Sequence, residues 1–286
     1  MSIVVTGATG HLGRLAVESL LDRGVPAADI VAVGREVGRI DDLAARGVTV
    51  RRADYEDPRS LADAFAGADK VLLVSASEVG RRLHQHRNAV EAARAAGTGL
   101  LVYTSAPHAG TAAYTIAVDH RATEELIEAS GLPYVILRNG WYLENYTPQL
   151  PTYLQYGIAG AAGNGRFSAA TRADLAEAAA AALTTEGHQG RVYELGGEPF
   201  TLTELAAEIS RQAGREVTYT DMPEQEYARF LAGAGVPEAF AALLADSDRA
   251  ASRGELCADR TDLEKLLGRP VTPLADVIRA ALAPAS

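Results

Sequence analysis

The residues near the N-terminus are spaced to hold a phosphate group. The apolar run Ile3–Thr6 leads directly into a turn with glycine at positions 7, 10 and 13, and an amphipathic helical pattern follows. A strand, turn and helix of this kind presents backbone N–H groups and the positive end of a helix to an anion. The spacing differs from the GxGxxG fingerprint, so an ordinary strand-to-helix turn without a ligand stays open.

Arg35 follows the second apolar run, Ile30–Val33, and Arg39 lies four residues later. An acidic residue at this strand end usually binds the ribose hydroxyls of NAD, whereas an arginine accommodates the additional phosphate of NADP. A guanidinium can form bidentate hydrogen bonds with that phosphate. The sequence therefore favours NADP(H) over NAD(H), and Glu36 is left to bind a ribose hydroxyl or to pair with Arg39.

Residues that can line a cofactor also lie at or just after the ends of the next three apolar runs. They are Asp54, Ser75, Ala76, Ser77 and Thr104. The Asp54 carboxylate could accept a hydrogen bond from an adenine amino group, or it could form a turn. The serines could line ribose and pyrophosphate.

The segment after the sixth apolar run combines aromatic and amide side chains. It contains Asn139, Gly140, Trp141, Tyr142, Leu143, Glu144, Asn145 and Tyr146. Such a cluster beyond a strand end suits a flat aromatic ligand, and we expect Asn139, Trp141 and Asn145 to orient that ligand. A tryptophan that only covers the core at a domain junction is the alternative.

The chain lacks the Tyr-x-x-x-Lys pair with which short-chain dehydrogenases commonly protonate a substrate oxygen. Its two lysines are Lys70 and Lys265, and neither follows a tyrosine by four residues. Tyr114 stands near the expected place, but Val118 occupies the lysine position. The sequence therefore disfavours alcohol–ketone interconversion by that route. Hydride transfer to a quinone fits better, because its product is a weakly basic phenolate.

Other chemistries are less well supported. His84 and His86 are two residues apart on a helical pattern and do not face each other, so we expect surface histidines rather than metal ligands. Cys257 is the single cysteine, which excludes an intrachain disulfide and a cysteine-rich metal site. We predict no bound metal.

Composition narrows the class of protein. The chain has 286 residues, of which 48% are hydrophobic, and a net charge of −10. That charge argues against broad nucleic-acid binding. No apolar run approaches the roughly 18 residues of a membrane span, and no signal peptide is apparent. We expect a cytoplasmic protein with a small-molecule substrate and leave open a homodimer.

Apolar runs alternate with helical patterns over the first half of the chain. The runs are Ile3–Thr6, Ile30–Val33, Val48–Arg51, Val71–Val74, Leu100–Thr104 and Tyr134–Leu137. The helical patterns are Leu12–Arg23, Ile40–Arg46, Pro58–Phe65, Arg81–Ala96 and Thr115–Ser130. This alternation predicts an α/β fold with a doubly wound parallel sheet of the Rossmann type. Ligands then bind beyond the carboxyl ends of the strands.

The pattern becomes irregular after about residue 150. We predict an NAD(P)-binding Rossmann domain over residues 1–184 and a smaller, mostly helical, substrate-side lobe over residues 185–286. Residues 166–169 and 191–195 are strand-like, which leaves open their return to the main sheet.

On these residues the chain resembles the NmrA-like atypical short-chain dehydrogenases. Within them it is most similar to the type 2 NAD(P)H:quinone oxidoreductases and the triphenylmethane dye reductases. The segments that carry the resemblance are Thr6–Gly13, Ser75–Gly80, His86–Asn88, Tyr103–Ser105, Leu137–Tyr146, Ala169–Asp174 and Val192–Leu195.

The resemblance implies direct hydride transfer from NADPH to a quinone without a flavin. It places the cofactor on Thr6, Gly7, Ala8, Thr9, Gly10, His11, Leu12, Gly13, Arg35, Ser75, Ala76, Ser77, Asn139, Gly140, Trp141, Tyr142, Leu143 and Glu144, to which their positions at strand ends add Asp54 and Thr104. It places the acceptor near Trp141, Tyr142, Asn145, Thr171, Arg172, Ala173 and Asp174. Gly34 and Glu36 depart from the family's usual apolar residue and asparagine. A non-catalytic dinucleotide sensor and a biosynthetic reductase of another conjugated carbonyl are the alternatives.

Overall fold

The computed structural model describes residues 1–78 and 80–283, and a parallel sheet forms the centre of that part of the chain. The strands of the described residues are, in chain order, β1 (Ile3–Val5), β2 (Ile30–Gly34), β3 (Thr49–Arg52), β4 (Lys70–Leu73), β5 (Leu100–Ser105), β6 (Tyr134–Asn139), β7 (Ile158–Gly160), β8 (Arg166–Phe167), β9 (Arg191–Leu195), β10 (Phe200–Thr201) and β11 (Tyr219–Asp221). Four of them, β7, β8, β10 and β11, lie in two small two-stranded sheets. The main sheet has the order β3-β2-β1-β4-β5-β6-β9, with every neighbouring pair parallel. The six predicted strands are confirmed.

The strand order reverses at β1. The chain adds β2 and β3 on one side of β1 and then returns to add β4, β5 and β6 on the other side. The predicted doubly wound Rossmann class is therefore confirmed. The carboxyl ends of β1 and β4 are neighbours at this reversal, where open sheets bind their ligands.

Helices connect the strands and build the second half of the chain. They are α1 (His11–Asp22), α2 (Asp41–Ala45), α3 (Pro58–Phe65), α4 (Arg82–Ala95), α5 (Thr115–Ala129), α6 (Leu150–Tyr156), α7 (Arg172–Thr184), α8 (Leu202–Ala213), α9 (Glu224–Gly233), α10 (Glu238–Ser252), α11 (Thr261–Leu267) and α12 (Leu274–Leu282). The five predicted helices of the first half are confirmed, although α2 is preceded by a 3-10 turn over Val37–Ile40.

The sheet is covered on both faces because its strands alternate between two cores. Ile3 and Val5 of β1 pack into one core with residues of α1 and α7, whereas Val4 packs into another with residues of α3 and α4. All three side chains are fully buried. Since successive strand residues point to opposite faces, a strand covered on both sides needs an uninterrupted apolar run.

The two strand-like segments of the second half, 166–169 and 191–195, lie in different sheets. The 191–195 segment forms β9 and pairs with β6, so it does return to the main sheet. The 166–169 segment does not, because β8 pairs antiparallel with β10. Phe167 and Phe200 are buried there in a third core that also contains Leu150 and Leu202. That core contains residues from both sides of position 184. The division into residues 1–184 and 185–286 stays a prediction.

Asp248 on α10 binds the chain directly after β7. Its Oδ2 accepts a hydrogen bond from Ala161 N at 2.9 Å. Burial raises the pKa of the Asp248 carboxyl to about 7, and the charge of Asp221 acts in the same direction. The folded protein therefore holds a proton on this group more tightly than the unfolded chain does.

Substituting Asp248→Asn should change how the free energy of unfolding depends on pH. The folded-state pKa lies above the unfolded value of about 4, so wild-type stability falls as the pH rises from about 4 to about 7. Asparagine keeps an acceptor for Ala161 N–H but cannot ionise, so this part of the decline should vanish. Urea unfolding at about pH 5 and about pH 8 measures it. An equal decline in both proteins would contradict the assignment.

Candidate functional site

A buried threonine braces the start of the glycine turn. Thr6 is 1% exposed, and its hydroxyl donates to Leu72 O and accepts from Val74 N, both at 3.0 Å. The Tyr55 hydroxyl lies 2.5 Å from the Thr6 oxygen and 2.7 Å from Val74 O. This brace ties the ends of β1 and β4 together. The Thr6 side chain is therefore structural, and the contact of this residue with the cofactor stays a prediction.

The glycines let α1 begin directly over the end of β1. Gly7 has a φ of +62°, and a Cβ at Gly13 would lie 2.3 Å from Gly7 O. Within the described residues, no side chain caps the first N–H groups of α1 and no acid lies in its first turn. An uncapped helix start with closely packed backbone fits an anionic phosphate group. The predicted phosphate turn therefore has the geometry that a dinucleotide requires.

The other turn residues divide between core and surface. The Ala8 and Leu12 side chains are buried, whereas Gly10 and His11 are exposed. A Cβ at Gly34 would lie 2.6 Å from Thr9 Cγ2, so the Thr9 side chain occupies the space above Gly34. This contact gives a physical reason for the glycine that departs from the family's apolar residue.

Arg35 extends from the end of β2 into solvent, with 63% of its side chain exposed. Its Nη1 lies 3.4 Å from Glu78 Oε1, on the loop after β4. The contact between Glu36 and Arg39 is a backbone hydrogen bond from Arg39 N to Glu36 O at 3.0 Å. Arg35 is thus accessible to a phosphate at the edge of the crevice.

Asp54 forms the turn that the sequence left open. Its Oδ1 accepts from Glu56 N at 3.0 Å, and its backbone N donates to Ser60 Oγ at 3.1 Å. The carboxylate is half-buried. Its contact with adenine stays a prediction.

The loop after β4 is fixed by side chains from β5 and α4. Ser75 N donates to Thr104 Oγ1 at 2.9 Å, while Ser77 is exposed. Arg82 and His86 of α4 bind Ala76, and His86 is fully buried. The expectation that His86 is a surface histidine is therefore wrong, although His84 is exposed. Val79, in the segment that carries the resemblance, lies outside the described residues.

Asn139 at the end of β6 is a buried amide without a partner. It is 5% exposed, and neither Oδ1 nor Nδ2 forms a hydrogen bond with any described residue. The next residue, Gly140, donates from its N to Leu195 O at 2.8 Å. Buried amides are normally paired, so the orphaned atoms of Asn139 point to a ligand that pairs with them.

The predicted acceptor residues meet around one arginine. The Arg172 guanidinium carbon lies 4.6 Å from the centre of the Tyr142 ring, and Arg172 Nη2 donates to Asn145 Oδ1 at 3.2 Å. Arg172 N donates to the Glu144 carboxylate at 2.9 Å. Trp141 is half-buried against the third core. The segments 141–145 and 171–172 therefore form one polar and aromatic wall, while the Leu143 side chain faces the core. That this wall contacts the acceptor stays a prediction.

The Asp174 side chain has a structural role, and its predicted contact with the acceptor stays a prediction. It is 1% exposed, and its carboxylate accepts from Arg269 Nη2 and from Thr272 N, both at 2.8 Å. These bonds attach the C-terminal segment to α7. Thr171 caps α7 by accepting from Asp174 N at 3.0 Å, and Ala173 is exposed.

The described residues contain neither a metal-binding cluster nor a helix that could span a membrane. Among residues 1–78 and 80–283, no group of three or more His, Cys, Asp or Glu side chains is arranged to hold a metal ion. Over the same ranges, no helix combines the length and the apolar character that crossing a membrane requires. The homodimer and the cytoplasmic location stay predictions.

Comparison with known proteins identifies relatives over the whole chain. Residues 7–186 match the NAD(P)H-binding family. The chain is 48% identical over 278 residues to quinone oxidoreductase 2 of Escherichia coli K12, covering 96% of this chain and 97% of the relative. The crystal structure of the E. coli NADPH-dependent quinone oxidoreductase complexed with NADPH matches with a TM-score of 0.95, over 98% of this chain and 100% of that one.

Two further relatives are similar over nearly their full length. Triphenylmethane reductase of Citrobacter complexed with NADP(H) is 40% identical, with a TM-score of 0.93 over 98% of this chain and 100% of that one. An NmrA-like family domain-containing oxidoreductase of Aspergillus flavus is 30% identical over 295 residues, covering 99% of this chain and 95% of the relative.

Substituting Gly13→Ala should destabilise the protein strongly. The added methyl would overlap Gly7 O, so α1 must move away from β1, at a cost of about 3 kcal/mol. Gly233→Ala is the matched control, because a Cβ at Gly233 meets no atom of the described residues within 4 Å. Urea unfolding compares the two variants. Equal stabilities would show that α1 tolerates displacement.

Proposed function

Since the chain belongs to the NAD(P)H-binding family and to its NmrA-like oxidoreductases, we propose that it transfers a hydride from NADPH to a quinone or a similar flat conjugated acceptor. The observation that carries the proposal is the buried amide of Asn139, for which the described residues supply no hydrogen bond of good geometry, beside the wall formed by Tyr142, Asn145 and Arg172. A bound ligand that pairs with this amide recovers free energy that the unpartnered atoms cost.

We propose NADP(H) as the cofactor, in preference to NAD(H). The backbone of residues 7–13 and the start of α1 would hold the pyrophosphate, and Arg35 would hold the additional phosphate. Ser75 and Ser77 would line the ribose, and residues 139–144 would contact the nicotinamide half. The E. coli relative was crystallised with NADPH, which supports this preference. Bound NADPH supplies the hydride, and we propose that no flavin takes part.

The residues on the acceptor side would orient the acceptor rather than protonate it through an activated tyrosine. The Tyr114 hydroxyl is buried and donates to Pro107 O at 3.1 Å, and Val118 stands where a lysine would be needed. Asn139, Trp141 and Asn145 would align the acceptor, and nearby hydrogen-bond donors would stabilise the oxyanion that forms. A quinone suits such a site because its reduced product is a weak base.

The proposal is tested by mixing the purified protein with NADPH and a panel of quinones and dyes, and by following the loss of absorbance of the reduced nicotinamide. We expect turnover with at least one quinone and no requirement for added flavin. NADPH binding without turnover on any acceptor would instead favour a dinucleotide sensor. Turnover restricted to other conjugated carbonyls would favour a biosynthetic reductase.

Substituting Arg35→Ala should weaken NADPH binding much more than NADH binding. Loss of a bidentate contact to phosphate should raise the dissociation constant for NADPH about tenfold or more, while that for NADH should change less than about twofold. Fluorescence titration of each reduced cofactor measures both constants. Arg46→Ala, which removes an exposed cation at the end of α2, is the control for general electrostatics. An equal loss for NADPH and NADH would refute phosphate recognition by Arg35.

A further inference from the structure

Two side chains of α4 bind both backbone polar groups of one residue in the loop after β4. Arg82 Nε donates to Ala76 O at 2.8 Å, and Ala76 N donates to His86 Nε2 at 2.9 Å. Arg82 and His86 are four residues apart and therefore lie on successive turns of one helix face. They are 5% and 0% exposed, so the contact is buried.

The bond from Ala76 sets the tautomer of His86. Because Nε2 accepts a hydrogen bond, the ring proton lies on Nδ1, which donates to Thr123 Oγ1 at 3.0 Å. Burial, aided by the charge of Arg82, lowers the pKa of His86 to about 3. The imidazole therefore stays neutral near pH 7 and keeps accepting from Ala76.

The bonds continue through α5 and return to α4. The Thr123 hydroxyl donates to Asp119 O at 3.2 Å, and the Asp119 carboxylate accepts from Arg82 Nη1 at 3.3 Å. Ala76, His86, Thr123, Asp119 and Arg82 thus form a closed polar ring that joins the β4 loop to α4 and α5. Because all five hydrogen bonds of the ring are made, they restrict these five residues to one arrangement.

The polar ring lies where a helix of this fold normally buries apolar side chains. Gln85 and Asn88 continue the polar face of α4, and Asn88 Nδ2 donates to Tyr55 O at 2.8 Å. Apolar residues would attach α4 to the sheet without the cost of desolvating polar groups. Buried polar groups fix the direction of the Ala76 N–H and C=O, which apolar side chains would not do. The Ala76 peptide borders the point at which the strand order of the sheet reverses.

We propose that Arg82 and His86 are positioning residues that hold residues 75–78 in the arrangement that binds NADP(H). The inference rests on the cofactor in the proposed function. Neither side chain needs to touch the cofactor, because each acts on it through the position of the Ala76 peptide and of the neighbouring serines.

Three single substitutions test this inference. His86→Leu removes both hydrogen bonds of the imidazole, whereas His86→Gln retains an amide oxygen that can accept from Ala76 N. Tyr103→Phe is the matched control, because the Tyr103 hydroxyl bonds His120 Nδ1 at 2.7 Å in the same buried layer and approaches His86 Nδ1 only at 3.5 Å. The measurements are the dissociation constant for NADPH, the melting temperature and amide hydrogen exchange of residues 75–78.

We expect His86→Leu to raise the dissociation constant for NADPH about tenfold and to accelerate exchange at residues 75–78, with His86→Gln within about threefold of wild type. Tyr103→Phe should lower the melting temperature but leave NADPH binding within about twofold.

Unchanged exchange at residues 75–78 in His86→Leu, or equal weakening of NADPH binding by Tyr103→Phe, would overturn the inference. If the wild-type protein binds no NADPH, the proposed function fails. Hydrogen exchange then still decides whether His86 holds the loop.

Discussion

The close approach of α1 to the end of β1 is the constraint on which the whole carboxyl edge depends. A Cβ at Gly13 would overlap Gly7 O, and Ala8 N donates to Val33 O at 2.9 Å, so the turn is attached to β2 as well. Thr9 then lies directly over Gly34, the residue before Arg35. The position of the guanidinium relative to the start of α1 therefore follows from contacts that begin at residue 13.

The architecture could be predicted because burial on both faces leaves a clear pattern. Val4 and both of its neighbours in β1 must be apolar, because the strand is covered on both faces. An uninterrupted apolar run of this kind distinguishes a central parallel strand from an amphipathic helix. At the start of α8, Thr201 and Glu204 form a reciprocal capping box, a pattern that two residue types at a fixed spacing make visible in a sequence. The pairing of β8 with β10 is not visible in this way, because strands of two residues carry no periodicity.

The sequence indicates where the site lies better than it indicates what each side chain does there. Strand ends identify the crevice, and residue types in 139–145 indicate an aromatic ligand. Burial depends on which element packs above a residue, and sequence does not show that. The sequence therefore did not show that the Asp174 carboxylate is buried and binds Arg269 and Thr272. His86 was predicted to lie on the surface for the same reason, since a polar helix face has the residue pattern of an exposed one until a sheet covers it.

The pair between Arg35 and Glu78 has a consequence for selectivity. The carboxylate competes for the guanidinium charge, because Glu78 Oε1 lies 3.4 Å from Arg35 Nη1 and Glu78 Oε2 lies 3.4 Å from Arg81 Nη1. An anion that binds Arg35 also meets the negative charge of Glu78, and salt screens both interactions. Glu78 also lies on the loop held by α4. The charge that an anion meets at the end of β2 is thereby set in part by a residue on the loop after β4.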